Sequence, residues 1–180
     1  MILLAGIAFL ITTAYTLQAI INWKIETEQS RVKFIMQAHG QELIGKFEGV
    51  KGEVLFDTTD LSKSFFNCNI SVATISTGNE IRDEHLQDTE FFGASEFPVI
   101  NFTSTKISAT EEGYKAEGTL SAKNISKQVE IPFTFSGNQD TGVFKGSFSM
   151  KRSDFGIGQP DAELGDEVII KLEVPVSRSK

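Results

Sequence analysis

The feature that most constrains this chain is a two-residue rhythm of apolar and polar side chains that returns along most of its length. In "RVKFIMQA", Val32, Phe34, Met36 and Ala38 alternate with Arg31, Lys33 and Gln37. "FFNCNISV" sets Phe66, Cys68, Ile70 and Val72 against Asn67, Asn69 and Ser71. "QVEIPFTFS", "VFKGSFSMK" and "EVIIKLEVPV" repeat the pattern, with Ile131, Phe133, Phe135, Phe144, Phe148, Met150, Val168, Ile170 and Leu172 on the apolar phase. Successive strand residues face opposite ways, so these segments read as strands with one dry and one wet face, which favours antiparallel pairing. Turn-forming clusters separate them: "HGQE", "DTTDLSKS", "TEEG", "GNQDTG" and "FGIGQPDAELGD". Pro132 and Pro175 fall inside strand patterns, at polar-phase or near-edge places where a missing N–H is tolerated. About eight strands with few helices predict a single antiparallel β-domain, a sandwich or an up-and-down barrel.

The chain has 180 residues, enough for one domain with a sizeable core. Its first nineteen residues carry no charged side chain, and Ile2 to Ile11 are continuously apolar. Small Ala14 and Ala19 follow a Thr-rich stretch, which is the layout of a secretory signal peptide over 1–19, with the domain at 20–180. An uncleaved membrane anchor is the alternative; Thr12, Thr13, Thr16 and Gln18 make the segment a poor span. The formal net charge of −7 and the lack of a Lys/Arg cluster disfavour nucleic acid, whose phosphates reward basic patches. Cys68 stands alone, which excludes an intramolecular disulfide, a CxxC redox motif and a cysteine zinc site. Its setting suits a small buried apolar residue. No GxSxG elbow and no glycine-rich phosphate loop occur, so no cofactor is expected.

"EIRDEHLQDTEFF", Glu80 to Phe92, breaks the rhythm with five acidic side chains, Arg82 and His85. Thr77 with Glu80 three residues on has capping-box spacing, predicting a helix from about Gly78 to Asp88. Ile81 and His85 share one face, and Arg82, Asp83, Glu84 and Gln87 the solvent side. The expectation is a lid over one barrel end with His85 against the rim. Adjacent carboxylates diverge around a helix, so a metal or acid–base site at His85 with Asp83, Glu84 and Asp88 is weakly supported.

All but one of the fifteen phenylalanines follow the leader, many on the dry phase. They could fill a solid core or line a pocket, and an eight-stranded barrel is wide enough for either. A vacant cavity of about 500 Å³ would cost on the order of 12 kcal/mol. That rivals a whole domain's stability of roughly 5–15 kcal/mol. Period two alone does not decide between the two and leaves the packed core ahead.

Four ordered blocks carry a resemblance. They are "WKIETEQSRVKFIMQAHG" with "GKFEGVKGEVLFD", then "GNEIRDEHLQDTEFFGASEFPVINFTST", then "GTLSAKNISKQVEIPF", then "GSFSMKRSDFGIG" with "LGDEVIIKLEV". From Trp23 to Val176 the sequence resembles the YceI family of bacterial lipocalin-like, polyisoprenoid-binding proteins. Asn124 stands where the family usually has Gly, Gln128 where Pro is common, and Phe97 where Tyr is common. Asn tolerates the positive φ that such a turn needs. The resemblance implies a barrel of about eight antiparallel strands with a helix over part of it and an elongated interior for a long apolar lipid. It also implies a periplasmic or exported protein, often a homodimer; a carrier of this kind would touch membranes transiently.

On that reading Phe34, Met36, Phe66, Ile70, Phe102, Phe133, Phe144, Phe148 and Ile170 line the ligand cavity; ordinary packing is the alternative for each. Arg82 or Arg152 could meet a lipid phosphate at the mouth, since guanidinium suits phosphate. Net acidity favours instead a structural ion pair, Arg152 with Asp154 or Arg82 with a neighbouring carboxylate. The expected function is therefore binding, sequestration or transport of a polyisoprenoid or fatty lipid without chemistry. The alternatives are a lipid-acting enzyme using His85 and a structural or stress-response module with a packed core.

Overall fold

The computed structural model describes residues 21–159 and 163–179. The leader at 1–19 lies outside the described residues. Ten strand segments form one antiparallel sheet: β1 (Asn22–Ile25), β2 (Arg31–Ala38), β3 (Gln41–Glu48), β4 (Lys51–Leu55), β5 (Phe65–Ser71), β6 (Val99–Thr110), β7 (Gly113–Ala122), β8 (Ile125–Gly137), β9 (Thr141–Lys151) and β10 (Leu164–Arg178). Among the described residues one α-helix, α1 (Glu80–Leu86), and four short 3-10 turns interrupt them. The sheet closes through β1–β10 pairing, with Ile25 opposite Val176 and Trp23 opposite Arg178. The eight-membered ring β1-β4-β5-β6-β7-β8-β9-β10 is the barrel, and β2 and β3 extend the same sheet from β10.

Ten segments appear where the alternation predicts about eight strands because two staves are broken. Both β1 and β2 run antiparallel to β10, below and above a break at 26–30. β3 and β4 run antiparallel to β2 and β1, with a kink at Gly49, whose φ is +79°. Ser30, fully buried, joins the two breaks. Its hydroxyl donates to Thr27 O at 2.7 Å and accepts the Val50 N–H at 2.8 Å. Backbone groups that lose their ladder partners are thereby satisfied, as a buried break requires. Merging the broken staves gives an up-and-down meander. Above the kink, β3 meets the 72–76 segment through the Lys46–Ser76 bridge and through the Glu48 N–H, which donates to Thr74 Oγ1 at 3.2 Å.

The hairpin turns follow the residues. His39 and Gly40 both have positive φ, as do Lys123 and Asn124, and each pair joins two strands by a two-residue turn. Asn124, at φ +62°, adopts the left-handed conformation that asparagine tolerates. Pro132 is exposed in the polar phase of β8.

The helix differs in detail from the prediction. Asn79, not Thr77, is its N-cap, accepting the Arg82 N–H at 3.1 Å. Thr77 instead donates its backbone N–H to Asp83 Oδ1 at 2.7 Å, and its hydroxyl donates to the same oxygen. The helix is rotated as well: Ile81 is 81% exposed, whereas Arg82, Asp83 and Leu86 are half-buried. The i, i+4 pair facing the protein is Arg82 and Leu86, because Thr77 holds both Arg82 and Asp83 from the inner side.

Inside the barrel, Gly45 lies opposite Phe34 across β2–β3. A Cβ added at Gly45 would sit 2.1 Å from Phe34 Cζ, so the ring occupies the space a side chain would need. Gly45→Val is therefore expected to overpack the site and cost about 1–3 kcal/mol. A urea midpoint unchanged from the parent protein would contradict this packing.

Candidate functional site

The inward faces of the strands enclose a cavity of about 520 Å³ with an almost wholly apolar wall. All nine apolar residues singled out in the sequence contribute to it: Phe34 and Met36 from β2, Phe66 and Ile70 from β5, Phe102 from β6, Phe133 from β8, Phe144 and Phe148 from β9, and Ile170 from β10. They meet because period two puts them on one face and ring closure turns that face inward. Cys68 lies on the same wall, and burial pushes its thiol up to about 12.

The two sequence alternatives, solid core and pocket, hold at different heights. Below the cavity the barrel is filled by rings. Phe56, 1% exposed, lies 5.0–6.0 Å centroid to centroid from Phe66, Tyr114, Phe133, Phe135 and Phe144. Trp23 packs on Phe135 at 5.2 Å and donates its indole N–H to Phe56 O at 2.9 Å. Phe66, Phe133 and Phe144 thus belong to both regions: they form the floor of the cavity and the upper layer of the plug.

The other end is capped by the segment following α1. Phe92 meets Phe47 edge-on at 5.5 Å. Phe91 and Phe92 pack on a second cluster built from Ala122, Phe155 and Ile157. Lys123 Nζ donates to Thr89 O at 2.9 Å and Gly156 O at 2.7 Å, tying this segment to the β7–β8 turn and the start of the β9–β10 connection. Exposed residues of the cavity lining include His39, His85 and Glu163, which mark the mouth. His39 Nδ1 lies 3.2 Å from a Glu163 carboxylate oxygen. His85 stacks edge-on against Phe91 at 5.0 Å, with its Nε2 3.9 Å from Glu90.

Both arginines line the cavity, but neither forms the ion pair expected from sequence. Arg152, 3% exposed, donates Nε–H to Gly165 O at 2.9 Å and Nη1–H to Ile157 O at 2.8 Å. Its Nη2 donates to Gln159 O at 3.0 Å and Leu164 O at 2.7 Å. Asp154 lies instead 4.0 Å from Lys127. The planar fork satisfies four carbonyls where the chain leaves β9 and enters β10, which a point-charge ammonium could not span. Gly158, at φ +64°, leaves room for it: a Cβ there would come within 2.8 Å of both Arg152 Nη1 and Phe91 Cε1. Beside it, the Ser153 N–H and hydroxyl both donate to Asp166 and hold its carboxyl below the usual range, with a smaller pull from Arg152. Arg82 donates Nε–H to Thr77 Oγ1 at 2.7 Å and Nη2–H to Thr77 O at 3.1 Å. No carboxylate pairs with Arg82 among the described residues.

Several lining residues escaped the sequence reading. On β7, Ala116, Leu120 and Ala122 alternate inward, but two alanines and Gly118 give a weak apolar signal. Leu86, Phe91 and Phe92 come from the acidic segment, whose charge masked its inward residues.

Arg152→Met is expected to lower the unfolding free energy by about 3 kcal/mol or more, since it orphans several buried carbonyls. Arg152→Lys should recover less than half of that loss in the same urea melts. For Cys68, labelling by a maleimide at pH 8 should be at least about a hundredfold slower in the folded protein than in urea. The raised thiol pKa stabilises the folded state below the unfolded value and loses that contribution as pH climbs from about 8.5 toward about 12. Thermal melts that are flat across that window in the parent, relative to Cys68→Ser, would contradict the buried position.

Known proteins share this architecture. A UPF0312 protein of Serratia proteamaculans is 28% identical over 168 residues, 88% of each chain. A UPF0312 protein of Pseudomonas aeruginosa is 27% identical over 162 residues, 85% of each chain. The crystal structure of Burkholderia cenocepacia BcnA superposes with a TM-score of 0.78 at 25% identity, covering 84% of this chain and 98% of BcnA. A polyisoprenoid binding domain from Saccharophagus degradans, implicated in plant cell wall breakdown, shares the fold with a TM-score of 0.67 at 10% identity, over 89% of this chain and all of that one. The family model described as a YceI-like domain matches residues 23–176. The barrel, its cap and its apolar interior thus place the sequence resemblance on firm ground, and the chain belongs to the YceI-like family.

Proposed function

We propose that this protein binds and carries a long-chain apolar lipid, of isoprenoid or fatty type, by enclosing it in the barrel without chemical change. The observation that carries the reading is the apolar cavity of about 520 Å³ above an aromatic floor, with a mouth at its edge. Water entering such a space finds few polar partners, and buried water needs about three. Each methylene that replaces it gains about 0.8 kcal/mol. Ten buried methylenes offer about 8 kcal/mol before the losses of association. The polyisoprenoid binding domain of Saccharophagus degradans supports the same class of ligand through a shared fold.

In this reading the protein is exported to the periplasm or secreted, consistent with the uncharged apolar leader. It exchanges its guest during transient membrane contact, and self-association as a homodimer belongs to the same proposal. No chemistry is assigned to His85: it is exposed at the mouth and packs on Phe91, and Asp83 is turned away toward Thr77.

Extraction of purified protein with organic solvent, followed by mass spectrometry, should recover about one lipid per chain or, after delipidation, show uptake of one. Phe148→Asp places a carboxylate on the cavity wall and should weaken uptake at least tenfold with the circular dichroism spectrum retained. Unchanged loading of that folded variant, or turnover of the lipid, would overturn the carrier reading.

A further inference from the structure

We propose that the cavity measures its guest: it encloses an apolar chain of about twenty carbons, or four isoprene units, and leaves the excess of any longer chain outside. This rests on the lipid-binding reading above and adds a size limit to it.

Three observations converge. The cavity is about 520 Å³. An apolar cavity of about 150 Å³ holds one six-carbon benzene ring, roughly 25 Å³ per carbon, so about twenty carbons fill the space. The floor is closed: Phe66, Phe133 and Phe144 line the cavity, whereas Phe56, Phe135 and Trp23, packed against this layer or on one another, do not. Phe56, at 1% exposure and in contact with five rings, leaves no passage through that layer. Opening a route past such rings means emptying a close-packed core, which is strongly unfavourable. The cap does not yield space either, because Phe92 is wedged on Phe47 and its segment is tied down through Lys123. A chain that enters at the mouth therefore runs down to the ring layer and stops.

The consequence is an affinity that rises with chain length and then levels off. Below the limit each added isoprene unit displaces water from apolar wall and strengthens binding. Beyond it, further units sit in solvent or in a membrane and add nothing to the contact with this protein.

The test uses delipidated full-length protein and all-trans prenols of two, three, four and eight isoprene units, with Kd measured by displacement of one fluorescent fatty acid. Binding should tighten at least tenfold from two units to four and change less than about threefold from four to eight. Two single substitutions move the limit in opposite directions. Phe144→Leu lowers the floor and should shift the plateau to a longer prenol; Cys68→Phe fills the wall and should shift it to a shorter one. A prenol of eight units that binds tenfold or more tighter than one of four would overturn the size limit while leaving lipid binding intact. Prenols that all fail to displace a probe which itself binds would also overturn it, leaving a fatty-lipid carrier. Failure of the probe and of every prenol to bind would overturn the carrier reading and the limit together.

Discussion

Closing one antiparallel sheet on itself is the constraint from which the rest of this molecule follows. Each strand must give up one face to a shared interior, and no outer layer is available to take it. The closure depends on β10, which pairs with β9 along one edge and with both β1 and β2 along the other. A stave long enough to serve both halves must bend, and the breaks at 26–30 and at Gly49 supply the bend. Ser30 makes those breaks tolerable by giving the freed Val50 N–H a partner. A single hydroxyl thus links the local irregularity of the first strands to the closure of the whole ring.

The interior is divided by side-chain size. Toward the β1 end, Trp23, Phe56, Tyr114 and Phe135 meet and leave no space. Their ring pairs are mostly tilted or edge-to-face, the arrangements the aromatic quadrupole favours. Higher up, Cys68, Ala116, Ala122 and Met36 stand on the same inward phase with less bulk, and there the cavity opens. Solid core and pocket are two levels of one tube, and Phe66, Phe133 and Phe144 are the boundary between them.

Charge is used at the cap as structure. Arg152 is almost fully buried, yet its partners are carbonyls rather than a carboxylate. That choice lets one side chain organise an irregular connection that no ladder could satisfy. Arg82 does the same on a smaller scale for the segment entering α1. Both lie on the cavity wall with donors turned to protein oxygens, four from Arg152 and two from Arg82, so the rigidity of the rim and the apolar character of the space beneath it have a common origin.

The sequence by itself determined the strands, their turns and which side chains face inward, because alternation is a property of the extended backbone and needs no knowledge of neighbours. Phe34, Met36, Phe102, Phe148 and Ile170 were legible as inward-facing residues for that reason, whereas their place on a cavity wall rather than in a packed core was an expectation from the family resemblance; Asn124 was legible as a turn residue through its tolerance of positive φ. Only the tertiary structure decided height and partnership. Period two says that Phe66 and Phe148 point inward, but pairing register sets whether a ring joins others, as Phe66 does with Phe56, or faces open space. The rotation of α1 was hidden likewise: Thr77 holds Arg82 and Asp83 toward the barrel, leaving Ile81 in solvent against its hydrophobicity. The four carbonyls on Arg152 come from a connection and a strand start brought together by chain reversal, and no spacing along the sequence encodes that meeting.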